Sequence, residues 1–256
     1  MIEICIAGAT GWTGSALVEG VLAADDLSLH SAVSRSAAGT EIAGAPVHAT
    51  VAAALDGVDV LVDYTAPDVV KAHALEALGR GVNVVIGTSG LSGDDFAEID
   101  AAARIHEKGA IAAGNFSVTA AMAQAAALLA ARHLPHWEVI DYASATKPDA
   151  PSGTARELAE RLGEVRAPRS GRPVEDTYGA REARGATVGG AQVHSLRLPS
   201  FTVSTEVVFG LPGERLSIRH DAGASADPYV AGTLLAVRAV HGRVGLTRGL
   251  DTLLLD

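Results

Sequence analysis

The amino-acid sequence predicts an α/β protein. Its first part is a doubly wound parallel sheet, and its second is an α+β domain with a mixed or antiparallel sheet. Three observations carry this. Short apolar, β-branched runs alternate with helix-like stretches through the first half of the 256 residues. The first such run opens at once into a glycine-spaced turn and a helix. Beyond residue 190 the runs alternate in polarity and are divided by turn residues, the pattern of hairpins rather than crossovers. The expected boundaries are residues 1–117, completed by 228–256, for the first domain and 118–227 for the second.

Residues 2–7 read as the first strand, followed by Gly8-Ala9-Thr10-Gly11-Trp12-Thr13-Gly14 and a helix over 15–23. In that order the glycine spacing has a physical meaning. It permits a tight turn, close approach of backbone to a pyrophosphate, and phosphate oxygens on the helix N-terminus. Gly8, Thr10, Gly11, Trp12, Thr13 and Gly14 are therefore candidate contacts in a Rossmann-type dinucleotide-binding domain. The second strand, 28–33, ends at Ser34-Arg35-Ser36. An acidic residue there would hold the ribose hydroxyls of NAD, whereas Arg35 between two serines suits a 2′-phosphate. The expected cofactor is NADPH, with NADH weaker, and Ser34 and Arg35 join the candidate contacts.

A parallel strand over 58–65 leads into Ala66-Pro67-Asp68 and a helix to about Gly79. A further strand over 82–86 ends in Gly87-Thr88-Ser89-Gly90. Ligands of a doubly wound sheet lie at the carboxyl ends of its strands, where Thr65 and the Gly87–Thr88 turn, followed by Ser89, fall. A strand over 110–113 ends in Gly114-Asn115-Phe116-Ser117, where Asn115 can cap an alanine-rich helix over 118–132.

The second half turns on Lys147-Pro148-Asp149-Ala150-Pro151-Ser152-Gly153-Thr154. A strand-like run at 137–142 leads in, and a helix begun at Ala155 and running over 156–162 leads out. Ser152, Gly153 and Thr154 offer backbone N–H groups and two hydroxyls at a helix N-terminus, where unpaired donors and the helix dipole favour an anion. Lys147 adds a full charge in a chain whose other lysines are only Lys71 and Lys108. The turn is a candidate pocket for a carboxylate of a small anionic substrate. Residues 164–184 read as an irregular loop. Strands at 192–197, 202–209 and 214–219 and a helix over 228–240, packing back on the first domain, complete the chain.

A formal charge of −10 argues against a nucleic-acid partner, which needs a basic face. One cysteine, Cys5, excludes an internal disulfide and suits the reducing cytoplasm. No apolar run has the length to span a bilayer, and the N-terminus lacks the basic and cleavage regions of a signal peptide. No membrane association is expected. His133, His136, His194 and His220 lack metal-ligand spacing, so no metal is expected either.

Together the segments 8–14, 63–67, 87–90, 115–117, 147–154 and 213–216 resemble the dihydrodipicolinate reductase family, nearly end to end. The resemblance implies reduction of a cyclic precursor on the diaminopimelate route to lysine, by a homotetramer formed through the second domain's sheet. It makes Lys147 catalytic and gives Ser144, Ser152, Gly153 and Thr154 to the substrate. Backbone groups at Asn115 and Phe116 would meet the nicotinamide carboxamide. Tyr64 for Phe, Ser89 for Thr and Trp12-Thr13 for Arg-Met are departures from the family pattern. A larger one lies before the lysine, where the family's His-His-x-x-Lys is Ala143-Ser144-Ala145-Thr146-Lys147. One family histidine donates a proton and the other meets a substrate carboxylate. Ala143 can do neither and Ser144 offers only a neutral hydrogen bond, so activity on the lysine-pathway substrate is expected to be low or absent.

Two alternatives stay open from the sequence: a paralogous reductase of another imine, and a non-catalytic NADP-binding sensor or scaffold. The glycine loop also resembles that of acyl-phosphate reductases of the semialdehyde-dehydrogenase type. Those need a nucleophilic cysteine, and Cys5 lies in the first strand, where a thiol is inert.

Overall fold

A computed structural model describes residues 1–169 and 171–255. The chain divides into two compact units, residues 1–118 with the C-terminal segment from 226, and residues 119–225. In chain order the first unit begins with β1 (Ile2–Ala7), α1 (Trp12–Leu22), β2 (Leu27–Val33), β3 (Glu41–Ile42), β4 (Ala45–His48) and α2 (Val51–Ala54). It continues with β5 (Val60–Asp63), α3 (Val70–Gly79), β6 (Asn83–Ile86), α4 (Gly93–Ile105) and β7 (Gly109–Ala112). The second unit holds α5 (Val118–Ala131, its first residue excepted), β8 (Trp137–Ala143), α6 (Gly153–Val165), β9 (Ala186–Val188), β10 (Ala191–Arg197), β11 (Val203–Leu211) and β12 (Glu214–Asp221). The chain then returns to the first unit with α7 (Asp227–Val240), β13 (Gly245–Arg248) and α8 (Asp251–Leu255).

Among the described residues the first sheet has the order β13-β7-β6-β5-β1-β2-β4-β3 and is parallel except for the β3–β4 hairpin. Every residue of β5, β6 and β7 is buried, as a parallel sheet covered on both faces requires. Cys5, Ala7, Leu61, Val84 and Ile86 pack with α2, α3 and α4 on one side. The intervening residues face the opposite side, where α1 and α7 touch. Strand order reverses at β1, with β5 on one flank and β2 on the other. The crevice at such a reversal is where ligands of this architecture bind, and the glycine loop leaves β1 there.

The second sheet, β12-β11-β8-β10-β9, is mixed: β8 and β10 run parallel and the other pairs antiparallel. Period-two alternation places Trp137, Val139, Val193, Val207 and Phe209 against Ala127, Leu158 and Leu162 of α5 and α6. Two helices start earlier than the sequence suggests. Helix α1 begins at Trp12, after an extended Gly11, and α6 begins at Gly153, because Ser152 is its N-cap. Residues 164–184 contain two 3-10 turns, Val174–Asp176 and Arg181–Arg184.

Candidate functional site

In the first unit, β1 delivers the chain into the loop with Gly8 in the left-handed region, at φ +83°. A Cβ at Gly8 would overlap the Tyr64 carbonyl, and one at Gly14 would overlap the Gly8 carbonyl. The loop is thus pressed onto the sheet, with Gly11 N–H donating to Gly8 O at 2.9 Å. Gly11 caps α1 without any side-chain hydrogen bond, so no side chain occupies the helix's N-terminal donors through the cap. Thr10 Oγ1 lies 2.8 Å from Ser34 Oγ, which is 3.2 Å from Ser36 Oγ. These hydroxyls join the loop to the end of β2, where Arg35 is exposed. A glycine cradle without Cβ atoms, an open helix N-terminus and a free-standing cation at the β2 end fit a dinucleotide. Trp12 is 54% exposed and sets its ring edge on Tyr229, with centroids 5.8 Å apart. It is an apolar cover over α7.

Asp63, the last residue of β5, organises the neighbouring strand ends. Its Oδ1 accepts from Thr65 N (3.0 Å), Thr65 Oγ1 (2.6 Å) and Thr88 Oγ1 (2.7 Å), and its Oδ2 lies 2.8 Å from His73 Nδ1. Thr65 N also donates to Thr88 Oγ1 at 2.7 Å. The structure therefore brings together Thr65 and Thr88, but through a buried carboxylate and a histidine of α3 that the sequence did not single out. A signal existed: an aspartate ending an otherwise apolar strand must find donors. Gly87 has a packing reason as well, since a Cβ there would overlap the Tyr64 ring. Ser89, beyond it, is half-buried.

Tyr64, the departure from Phe, places its hydroxyl 2.8 Å from Thr233 Oγ1 of α7, and Thr233 donates to Tyr229 O at 2.8 Å. Burial raises the Tyr64 phenol well above its ordinary pKa. Phe116 is 1% exposed and packs near Tyr64, and its carbonyl lies against Gly232 of α7, so the residue is core. Asn115 Oδ1 accepts from Ser117 N at 2.8 Å. This shapes the turn before α5, so Asn115 is not the cap of a helix that starts at Val118.

In the second unit the Lys147–Thr154 turn joins β8 to α6. Lys147 Nζ lies 2.8 Å from Asp149 Oδ1, and the lysine side chain is 26% exposed. The turn starts from a Ser144 O···H–N Lys147 bond of 3.1 Å, and Ser144 Oγ lies 3.3 Å from Thr146 Oγ1. Ser152 corrects the expectation drawn from sequence. It is buried, its Oγ accepts from Ala155 N as the α6 cap, and its N–H donates to Asp141 Oδ2 at 2.9 Å. The amide is spent on the fold, because an amide buried beside a carboxylate pairs with it, and the hydroxyl oxygen serves the helix cap. Gly153 and Thr154 are half-buried in the first turn of α6, and with Lys147 they are the other candidate anion contacts.

Asp141 has no exposed side-chain surface and also accepts from Ser195 Oγ (3.0 Å) and Arg197 Nη2 (2.8 Å). The same Nη2 donates to Asp149 O at 2.6 Å. Among the histidines, His194 pairs with Glu138, which also meets Arg184. His220 is buried with Nε2 3.1 Å from Thr119 Oγ1, and burial holds its imidazole below the ordinary value. Among the described residues, no cluster of three or more His, Cys, Asp or Glu could hold a metal ion.

The family model described as "Dihydrodipicolinate reductase, N-terminus" matches residues 2–116, and that for the C-terminus matches residues 114–254. A 4-hydroxy-tetrahydrodipicolinate reductase of Moorella thermoacetica is 36% identical over 264 residues, covering 99% of this chain and 98% of the relative. One from Mycobacterium sp. (strain KMS) is 36% identical over 254 residues, covering 99% of each. A dipicolinate-bound dihydrodipicolinate reductase from Paenisporosarcina sp. TG-14 superposes with a TM-score of 0.78 at 28% identity, covering 98% of this chain and 99% of that one. GenD2 from gentamicin A biosynthesis, in complex with NAD, shares the fold at a TM-score of 0.69 and 18% identity, covering 98% of this chain and 90% of that one. Matched from residue 2 to residue 254, the chain belongs to the dihydrodipicolinate reductase family of NAD(P)H-dependent oxidoreductases.

Proposed function

We propose that the protein is an NADPH-dependent reductase of a cyclic, imine-like carboxylic acid other than the lysine-pathway substrate. Bound NADPH supplies a hydride to the electrophilic carbon of the C=N bond. The observation that carries the reading is the Lys147 turn, in which a lysine ammonium already meets a carboxylate, that of Asp149, at the start of the segment leading to the α6 N-terminus. Lys147 Nζ and the first turn of α6, at Gly153 and Thr154, hold the substrate carboxylate. Lys147 also gives the proton that the imine nitrogen takes up. Ser144, with its neutral hydroxyl, contacts the substrate where the family presents a histidine.

In this reading residues 1–117 with 228–256 bind the dinucleotide through Gly8, Thr10, Gly11, Trp12, Thr13, Gly14, Ser34, Arg35, Thr65, Gly87, Thr88, Ser89 and the backbone at Asn115 and Phe116. Residues 118–227 bind the substrate and make the subunit contacts of a cytoplasmic homotetramer. Support for the tetramer is the sheet face opposite α5 and α6, where β8, β10 and β11 carry the incompletely buried Ile140, Leu196 and Val208. Arg35, with no acid beside it at the β2 end, favours NADPH over NADH.

The test is steady-state NADPH oxidation with cyclic imines bearing one or two carboxylates, beside a histidine-bearing relative. Turnover with another imine is expected, and little with the lysine-pathway substrate, since general acid catalysis contributes about 10²–10⁴-fold. A turnover number on that substrate equal to the relative's overturns the substrate assignment. NADPH binding without oxidation by any imine makes the protein a sensor instead, the reading that the two missing histidines favour.

A further inference from the structure

We propose that Asp141 and Arg197 are positioning residues of the anion pocket, setting Lys147 and the α6 N-terminus together without touching the substrate. The inference rests on reading that turn as the substrate pocket. It starts from a charge in an apolar row. Strand β8 turns Trp137, Val139 and Asp141 to the face covered by α5 and α6, and packing alone asks for a third hydrophobe there. Instead a carboxylate with no exposed surface takes three donors on one oxygen. A buried charge persists only when paired and hydrogen-bonded, so the partners define its role.

Those three partners come from two elements, β10 and the start of α6. In the parallel register β10 sets Ser195 beside Asp141 and Arg197 beside Ala143, so both side chains reach the same carboxylate. The third donor is the amide of Ser152, the cap of α6. Asp141 thereby fixes where the helix begins and where the Gly153 and Thr154 amides point. Arg197 closes the other side, since the Nη2 that meets Asp141 also donates to Asp149 O, and the Asp149 carboxylate holds Lys147 Nζ. One guanidinium nitrogen therefore ties the lysine end of the turn to its helix end. A lysine at 197 cannot reproduce that planar bridge.

Binding of dipicolinate by calorimetry distinguishes positioning from direct contact, because the two predict opposite signs for Asp141→Asn. A neutral residue 141 removes a negative charge near an anion site and releases Arg197. If Arg197 were a ligand of the anion, binding would tighten. Positioning predicts at least tenfold weaker dipicolinate binding in D141N and R197K, a smaller loss in S195A, and NADPH affinity within twofold of the parent. Tighter or unchanged dipicolinate binding in D141N overturns the inference. If D141N does not fold, R197K and S195A decide by the same criterion. Should the parent bind NADPH but not dipicolinate, the pocket reading fails, and amide exchange over residues 152–155 judges the positioning alone. Faster exchange there in R197K supports it, and unchanged exchange overturns it.

Discussion

Replacing Asp63 probes the hydrogen-bonded hub at the ends of β5 and β6. Asp63→Ala deletes an acceptor used by Thr65 N, Thr65 Oγ1, Thr88 Oγ1 and His73 Nδ1. Bonds to a charged group are worth about 1.5–3 kcal/mol each, but these four do not simply add. Thr65 N keeps Thr88 Oγ1 at 2.7 Å, and Thr88 Oγ1 keeps Asp63 O at 3.2 Å. The His73 side chain is 22% exposed and Thr65 is half-buried, so water replaces part of what they lose. That leaves a net cost of about 2–4 kcal/mol, dominated by the Thr65 and Thr88 hydroxyls. At about 2–4 °C per kcal/mol for a domain of this size, the melting midpoint should fall by about 4–16 °C. NADPH should bind about tenfold more weakly, the equivalent of 1.4 kcal/mol, as the Thr65 and Thr88 backbones relax. Asp63→Asn keeps one oxygen for the three donors and should recover about half of the loss in stability. An Asp63→Ala protein that melts within about 2 °C of the parent and binds NADPH equally would refute the reasoning.

Arg35→Ala should weaken NADPH by about 1.5–3 kcal/mol and leave NADH nearly unchanged, and equal weakening of both by calorimetry removes the 2′-phosphate assignment. Lys147→Met keeps stem volume and removes the charge; dipicolinate binding should weaken by about 1.5–3 kcal/mol while NADPH binding survives. If the variant binds dipicolinate as the parent does, Lys147 is only a surface lysine. Burial pushes the Cys5 thiol up to about 12. Iodoacetamide at pH 8 should therefore label it only after unfolding, and labelling of the native protein at the rate of a free thiol would contradict this. His220 titrates below its ordinary value in the fold, so the unfolded chain takes the proton first. Its share of stability is whole above about pH 6.5 and is lost as pH falls toward the lower folded value. His220→Gln should show a flatter loss of stability in acid, and equal acid slopes for variant and parent would exclude the effect.

The features legible in neighbouring residues were local and periodic. The strand–glycine–helix order of residues 2–22, the apolar runs that became β5, β6 and β7, and the proline-stiffened turn before α6 are written in neighbouring residues. Short-range sterics, side-chain alternation and capping act over a few positions, so such features are legible without a partner. The short strands β3, β4 and β13 were not, because each exists only through pairing with a strand brought to it by the fold. The site divided in the same way. Lys147 and the glycine loop stood out as motifs, whereas Ser152 looked available until Asp141, eleven residues earlier, was found holding its amide. Asp63 meets Thr88 across 25 positions, and Asp141 meets Arg197 across 56. Buried carboxylates must be satisfied, but which donors satisfy them depends on strand register and helix placement. Only the tertiary structure decides that, and with it which polar groups remain for a ligand.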